Sequence, residues 1–293
     1  MPLAVTMKIF SGRPNPVWIL PDSAANEFHD RIARIRSTAR ISNLKPAGAL
    51  GGLGYRGFKV QAIGEPNSTY IHAGIVDPGR HNPTYLTEDR ELEKWLFATN
   101  QKNFHRDIQD HVERLLQVSV AQKSIILQQQ QPFRICPVCY AKDAPLYDQS
   151  PWWQGVETSE SNNCYNYANN HITNTTAQPG KASGHLFTQE NNCTDPGSVL
   201  AGAVSDGLVA SPNFSTPLAI GQGWYVALVL WPGHDFHWYR QDSNGCWSGK
   251  PGDDDVTSVD YSHNHISDPK TADRGPYTTF CSYMITRCGI KIR

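Results

Sequence analysis

An unbroken apolar run at Trp224–Trp231 constrains the fold of this chain more than any other segment. It has the length of a β-strand, and a strand that is apolar on both faces is typical of the buried centre of a sheet. A Pro232-Gly233 turn follows, then a strand-like stretch at Asp235–Gln241 and, after a second turn, another at 246–248. We therefore predict an antiparallel meander, with a last strand at 278–286.

The amino-terminal half shows the periodicity of a smaller α+β domain. Ala25, Phe28, Ile32 and Ile35 recur at the spacing of one helix face. The predicted elements are a strand at 6–12, a helix at 22–38, strands at 57–63 and 69–75, and helices at 86–99 and 104–120. A glutamine-rich composition shift that starts at Gln128 predicts a linker over 128–150. We thus expect an accessory domain at 1–127 and a second domain at 151–293.

The charge balance excludes several classes of function. The chain has 26 basic and 27 acidic residues and a net charge of -1. Without a basic stripe, we predict neither a nucleic-acid partner nor a membrane-surface partner.

No stretch approaches the ~18 consecutive apolar residues of a bilayer-spanning helix, and no apolar leader opens the sequence. As written, the sequence predicts a soluble, cytoplasmic protein.

Cysteine and asparagine usage points to another compartment. The chain has seven cysteines, and Asn-X-Ser/Thr triplets of the type that accepts glycans begin at Asn67, Asn174, Asn192 and Asn213. Disulfides persist in oxidising environments, so the protein would be secreted if a leader had been removed. Chance is the competing explanation of the triplets, because the chain is rich in Asn, Ser and Thr.

The segment around Cys164 has the pattern of a helix start that carries a thiol. Cys164 follows Ser161-Asn162-Asn163, whose side chains suit helix capping, and the predicted helix covers 162–170. Unpaired N–H groups and the positive end of the helix dipole favour a thiolate, which is the nucleophilic form of cysteine. Cys164 is therefore our candidate nucleophile. The competing interpretation is a buried small apolar residue or half of a disulfide.

A histidine follows on the predicted sheet and completes the pattern. His237, Tyr239 and Gln241 share one face of the strand, whereas Trp238 and Arg240 share the other. We therefore predict that His237 faces the Cys164 helix as the general base. His234 lies in the preceding turn, where we expect it to be solvated. A hydrogen-bonded strand histidine is the competing interpretation of His237.

In element order, residues 150–290 resemble the papain-like cysteine hydrolase superfamily in the broad sense, which includes NlpC/P60, CHAP and transglutaminase-like branches. The resemblance rests on Asn163-Cys164-Tyr165 opening a helix and on His237 in a following strand. It implies an α+β fold in which an antiparallel sheet packs on the cysteine helix. It also implies a Cys164–His237 acyl-enzyme mechanism on a peptide or small-molecule amide, ester or thioester. Hydrolysis and acyl transfer both remain open.

A third catalytic member is unassigned in this pattern. Transglutaminase-like order would place an aspartate on the next strand, but no acid occurs there until Asp253. The candidates are Asp242, Asp253, Asn264 and Asp268, and a two-residue dyad is the alternative. We predict no cofactor and no catalytic metal.

Two alternatives from other classes stay open. A zinc-dependent hydrolase is one alternative; Cys136 and Cys139 have the spacing of half a zinc site, which Cys281 with Cys288, or His263 with His265, could complete. The other is a disulfide-stabilised, non-enzymatic binding or structural protein in which Cys164 is paired. The sequence does not decide the oligomeric state.

Overall fold

The computed structural model describes residues 1–42, 52–79, 82–118, 141–147, 153 and 156–293. These residues form two compact units. The first unit contains residues 1–9, 15–42 and the described residues between 55 and 118. The second contains residues 10–14, 52–54 and the described residues from 141 onward. Two short segments of the predicted accessory domain thus belong to the second unit, and the predicted linker lies largely outside the described residues.

The first unit is built on a seven-stranded antiparallel sheet with strand order β2-β1-β4-β5-β6-β7-β3. Val5 and Val60 are cross-strand neighbours on its buried face, and Phe28 and Ile32 of the first helix are also buried. The strands are β1 (Leu3–Met7), β2 (Val17–Ile19), β3 (Arg40–Ser42), β4 (Phe58–Ala62), β5 (Ser68–His72), β6 (Ile75–Asp77) and β7 (Thr84–Leu86). The helices are α1 (Asp22–Thr38), α2 (Glu91–Ala98), a 3-10 turn (Gln101–Asn103) and α3 (Arg106–Leu116).

Several predicted boundaries in this unit are wrong. The first strand ends at Met7, because residues 10–14 leave the sheet and join the second unit. The strand predicted at 69–75 is two strands, which a tight turn joins at Ala73 (φ 53°) and Gly74 (φ 77°). The helix predicted at 86–99 starts only at Glu91, since the chain first completes β7. The predicted helix at 22–38 is confirmed.

A buried charged cluster stabilises the first unit. Glu93 is 1% exposed, and its carboxylate accepts hydrogen bonds from Arg90 Nη2 at 2.6 Å, Tyr55 Oη at 2.8 Å and Gly74 N at 3.0 Å. Burial alone would raise the pKa of Glu93, but the hydrogen bonds and charge of Arg90 hold that pKa below its ordinary value. The carboxylate is therefore ionised in the folded protein, and its interactions join α2 to the β5–β6 turn.

The second unit contains a five-stranded antiparallel sheet with strand order β11-β10-β9-β12-β8. The strands are β8 (Val209–Ser211), β9 (Trp224–Trp231), β10 (Asp235–Gln241), β11 (Trp247–Gly249) and β12 (Thr279–Thr286). The described helices are α4 (Val156–Ser161), α5 (Cys164–Ala168) and α6 (Val199–Ser205). The mixed α+β class and the antiparallel meander predicted from sequence are confirmed.

Strand β9 lies at the centre of this sheet, as its apolar sequence predicts. Every residue of β9 is buried, and so is every residue of β10. Helix α5 packs against β10. The ring centres of Tyr165 and Trp238 lie 5.3 Å apart, and the Arg240 guanidinium lies 3.9 Å from the centre of the Tyr167 ring. In the part of the chain that the structure describes, no helix is both long and apolar enough to cross a membrane.

Candidate functional site

Helix α5 begins with a complete capping box. The Asn163 side chain accepts hydrogen bonds from the backbone N–H groups of Tyr165 (3.1 Å) and Asn166 (3.2 Å). In return, Asn166 Oδ1 accepts the N–H of Asn163 at 3.1 Å. This reciprocal arrangement satisfies donors that a helix start otherwise leaves open. The local sequence thus positions Cys164 at the first turn of the helix, as predicted.

The Cys164 thiol is fully buried, with 0% exposure. Burial raises its pKa to about 12, and the negative charge of Asp235 adds to that rise. Hydrogen bonding from the Trp238 backbone and the Ser11 side chain, together with the charge of Lys250, favours the thiolate to a smaller extent. Desolvation therefore outweighs the helix-start effect, and the thiol is neutral at pH 7. The expected thiolate is wrong for this buried position.

Ser11 links the two residues that the sequence singles out. Its hydroxyl lies 2.5 Å from His237 Nδ1, accepts the N–H of Gly252 at 3.3 Å, and favours the ionised form of Cys164. Ser11 is fully buried. A direct contact between the Cys164 sulfur and the His237 ring stays a prediction; Ser11 contacts the His237 ring and affects the ionisation of Cys164.

His237 occupies a tightly packed position on β10. Its ring lies 4.4 Å from the Tyr239 ring and 6.2 Å from the Tyr277 ring, centre to centre. A Cβ atom at Gly249 would lie 2.5 Å from Nε2 of His237, so only glycine fits there without displacement. The α5 side chains Tyr165 and Tyr167 contact the opposite face of β10, while the Cys164 sulfur lies 4.0 Å from the Phe236 carbonyl oxygen.

Asp235 is the charged residue of the site that sequence reasoning missed. Its carboxylate accepts the N–H groups of Ser11 (2.5 Å), Gly12 (3.1 Å) and Arg13 (2.9 Å) and the hydroxyl of Tyr277 (2.5 Å). It thereby fixes the 10–14 segment against β10. Burial raises the pKa of Asp235 to about 6, although these hydrogen bonds oppose the rise.

Titration of Asp235 is expected to have its midpoint near pH 6. Between about pH 4 and pH 6, the folded protein keeps a proton on Asp235 that the unfolded chain, with a pKa of about 3.9, has released. The resulting stabilisation is fully present below about pH 4 and disappears as pH rises through 6, a difference of about 3 kcal/mol. Carbon-13 NMR of the side-chain carboxyl, assigned with Asp235→Asn, measures the midpoint. A midpoint at or below pH 4 would contradict this account.

A buried lysine supports the entry to α5. Lys250 is fully buried, and its ammonium group donates to the carbonyl oxygens of Ser159 (2.7 Å), Asn162 (2.6 Å) and Gly252 (2.7 Å). Two of these carbonyls belong to the chain that leads from α4 into the capping box. Carbonyl groups near a helix C-terminus attract cations, so Lys250 fixes the connection that precedes Cys164.

Other predicted residues have separate roles. Asp242, a candidate third catalytic residue, forms a buried ion pair with Arg240 at 2.8 Å. Asp268 accepts the Tyr283 hydroxyl at 2.5 Å. His234 is buried against the Trp231 ring, so the expectation that it is solvated is wrong. The partners of Asp242 and His234 are only two and three residues away in sequence, but the burial that brings each pair together depends on the whole fold.

The cysteines divide into bonded and free groups. Cys193 and Cys281 form a disulfide across 88 residues of sequence, and Cys246 is also disulfide-bonded. Cys281 therefore does not serve as a zinc ligand. Cys164 and Cys288 are free, the first buried and the second exposed. The half-site at Cys136 and Cys139 lies outside the described residues.

Comparison with known proteins identifies the family to which this chain belongs. Over 134 residues the chain is 42% identical to insoluble matrix shell protein 1 of Ruditapes philippinarum. The alignment covers 45% of this chain and 84% of that protein. The chain therefore belongs to the same family as that protein. No family model matches the chain, and no solved structure matches it.

Proposed function

We propose that this chain is a disulfide-stabilised, non-enzymatic structural protein of an insoluble extracellular matrix. The family relationship carries the proposal, because the relative that shares 42% identity over most of its own length is named for an insoluble shell matrix. A structural role needs no reactive group, and it agrees with a site whose thiol is buried and protonated. This is the non-enzymatic alternative that the sequence left open, except that Cys164 is a free, buried thiol and not the paired cysteine of that alternative.

Secretion is part of the proposal. The Cys193–Cys281 disulfide supports it, since disulfides form and persist in oxidising compartments and are rare in the cytosol. A disulfide that closes a long loop also stabilises the fold by restricting the unfolded chain. These observations favour the secreted alternative over the cytoplasmic one.

Fractionation of the source tissue tests the proposal. We expect peptides of this chain in the insoluble extracellular residue that remains after salt and detergent extraction. Digestion of that residue without reductant should release the Cys193 and Cys281 peptides as one cross-linked species. Recovery of the chain only from the soluble cytoplasm, with both cysteines reduced, would contradict a matrix role.

A thiol hydrolase or acyltransferase is the second candidate. The specific observation in its favour is that the Ser11 hydroxyl contacts His237 and also favours the ionised form of Cys164, which lies at a capped helix start. In this candidate, α5 and the sheet of the second unit form a papain-like site, Cys164 is the nucleophile and His237 the base for a peptide or other amide. Opening of the buried thiol would be required first.

Activity assays distinguish the second candidate. Amide hydrolysis by the purified chain that Cys164→Ala abolishes and Cys288→Ala preserves would support it. Failure of the wild-type chain to cleave any member of a broad peptide library would rule out the hydrolase candidate. The two variants are matched, because each replaces one free cysteine.

A further inference from the structure

The four Asn-X-Ser/Thr triplets differ in how the folded protein uses their side-chain amides. An N-linked glycan is bulky and needs a surface position, and it occupies one of the two amide hydrogens of Asn Nδ2. An asparagine whose amide is exposed and makes no hydrogen bond accommodates the sugar at no cost to the fold. One whose Nδ2 already donates to a neighbour has only its second hydrogen left for the sugar, which must then fit beside that neighbour.

Asn67 meets this requirement. It lies in the turn between β4 and β5, directly before Ser68, and its side chain is exposed. The preceding turn residues Gly64, Glu65 and Pro66 are exposed as well. Among the described residues, none forms a hydrogen bond with the Asn67 side chain. The hydroxyl residue of the triplet, Thr69, is the second residue of β5 and is only partly buried.

Asn192 shows the opposite arrangement. It is partly buried, and its Nδ2 donates to Asp195 Oδ2 at 2.7 Å. Its Oδ1 accepts the N–H groups of Thr194 and Asp195, both at 3.0 Å. The middle residue of the triplet, Cys193, is covalently bound to Cys281. A glycan on Asn192 would have to fit beside both the Asp195 contact and the disulfide.

Asn174 and Asn213 are intermediate between these two. Asn174 Oδ1 accepts a hydrogen bond from Asn162, and Asn213 Oδ1 accepts the N–H of Ser215. Their side chains are held by other residues, whereas that of Asn67 is not. The turn between β4 and β5 is therefore the position that the fold leaves most open.

We propose that Asn67 is an N-glycosylation site and that Asn192 is left unmodified, which rests on the extracellular location proposed above. The sugar donor is an oligosaccharide linked to a lipid pyrophosphate. The new bond joins Nδ2 of Asn67 to C1 of the first sugar, and the bond between C1 and the pyrophosphate breaks. The lipid pyrophosphate leaves with the electron pair, and Nδ2 loses one proton.

Secretion of the full chain from cultured animal cells, with an added signal peptide, tests the proposal. Release of N-glycans by an amidase in heavy-oxygen water converts each modified Asn to labelled Asp, which peptide mass spectrometry quantifies. We expect the label at Asn67 and its absence at Asn192. Asn67→Gln and Thr69→Ala should each remove one glycan mass, and Asn192→Gln should remove none.

An unlabelled Asn67 in secreted, folded protein would overturn the proposal, as would equal labelling of Asn67 and Asn192. The occupancy of the wild-type chain gives this answer even where a variant folds poorly. The result is separate from the matrix role, because tissue fractionation tests that role whether or not Asn67 carries a sugar.

Discussion

Replacing Cys193 and Cys281 together by alanine is expected to lower the free energy of unfolding by about 4 kcal/mol. The disulfide closes a segment of 88 residues that includes α6, β8, β9, β10 and β11. In the chain-entropy description, a cross-link restricts the unfolded ensemble, and the restriction grows with the logarithm of loop length. Urea denaturation of the wild-type and variant proteins measures the difference.

Cys288→Ala is the matched control for this experiment. Cys288 is free and exposed, so its replacement should change the unfolding free energy by less than about 0.5 kcal/mol. The wild type treated with reductant should lose stability in the same direction as the double variant. Equal denaturation midpoints for the double variant and the wild type would show that the cross-link does not support the fold.

The second large effect concerns the reactivity of Cys164. A pKa of about 12 leaves about 2000-fold less thiolate at pH 8 than an ordinary cysteine with a pKa of about 8.5. A more basic thiolate is intrinsically more nucleophilic, and its higher rate constant offsets about 40-fold of this decrease. Ionisation alone therefore lowers the reaction rate of Cys164 by about 50-fold. Burial lowers the rate further, since a reagent reaches the sulfur only when the structure opens.

This comparison shows why a helix start is insufficient to activate a thiol. The dipole and the open N–H groups of a helix terminus lower a cysteine pKa where the sulfur remains partly solvated. At Cys164 the sulfur has 0% exposure, and the nearby Asp235 carboxylate disfavours a second negative charge. A catalytic role would need both conditions to change in another conformation of the site.

Local sequence patterns predicted the elements that local forces determine. Strands β9 and β10 occupy the predicted residues because an apolar run and two turn signals define their ends. Helix α1 follows its apolar spacing, and α5 starts at its capping asparagine. Periodicity and capping act within a few residues, so they are visible in a single sequence.

Contacts between distant residues were not predictable in this way. Ser11 and His237 are separated by 226 residues, and nothing in the Phe10-Ser11-Gly12-Arg13 segment indicates that it leaves the first unit. Asp235 opens the predicted strand at 235–241, and no neighbouring residue in the sequence indicates that its carboxylate is buried. Its burial depends on the N–H groups of residues 11–13, which only the folded chain brings to it.

Burial also decided the electrostatics of the site. The sequence indicated which groups favour a thiolate at Cys164, and the structure shows the larger opposing contribution from desolvation. Desolvation depends on everything packed around the sulfur. A pattern of neighbouring residues in sequence does not measure that packing.

Alkylation of the two free cysteines tests the central claim most directly. Native protein at pH 8 is treated with iodoacetamide, and mass spectrometry follows the modification of Cys164 and Cys288 in the same sample. We predict that Cys164 reacts at least about 50-fold more slowly than Cys288, and that both react at similar rates in denaturant. Native Cys164 that reacts as fast as Cys288 would contradict a buried, neutral thiol and favour the enzyme over the structural protein.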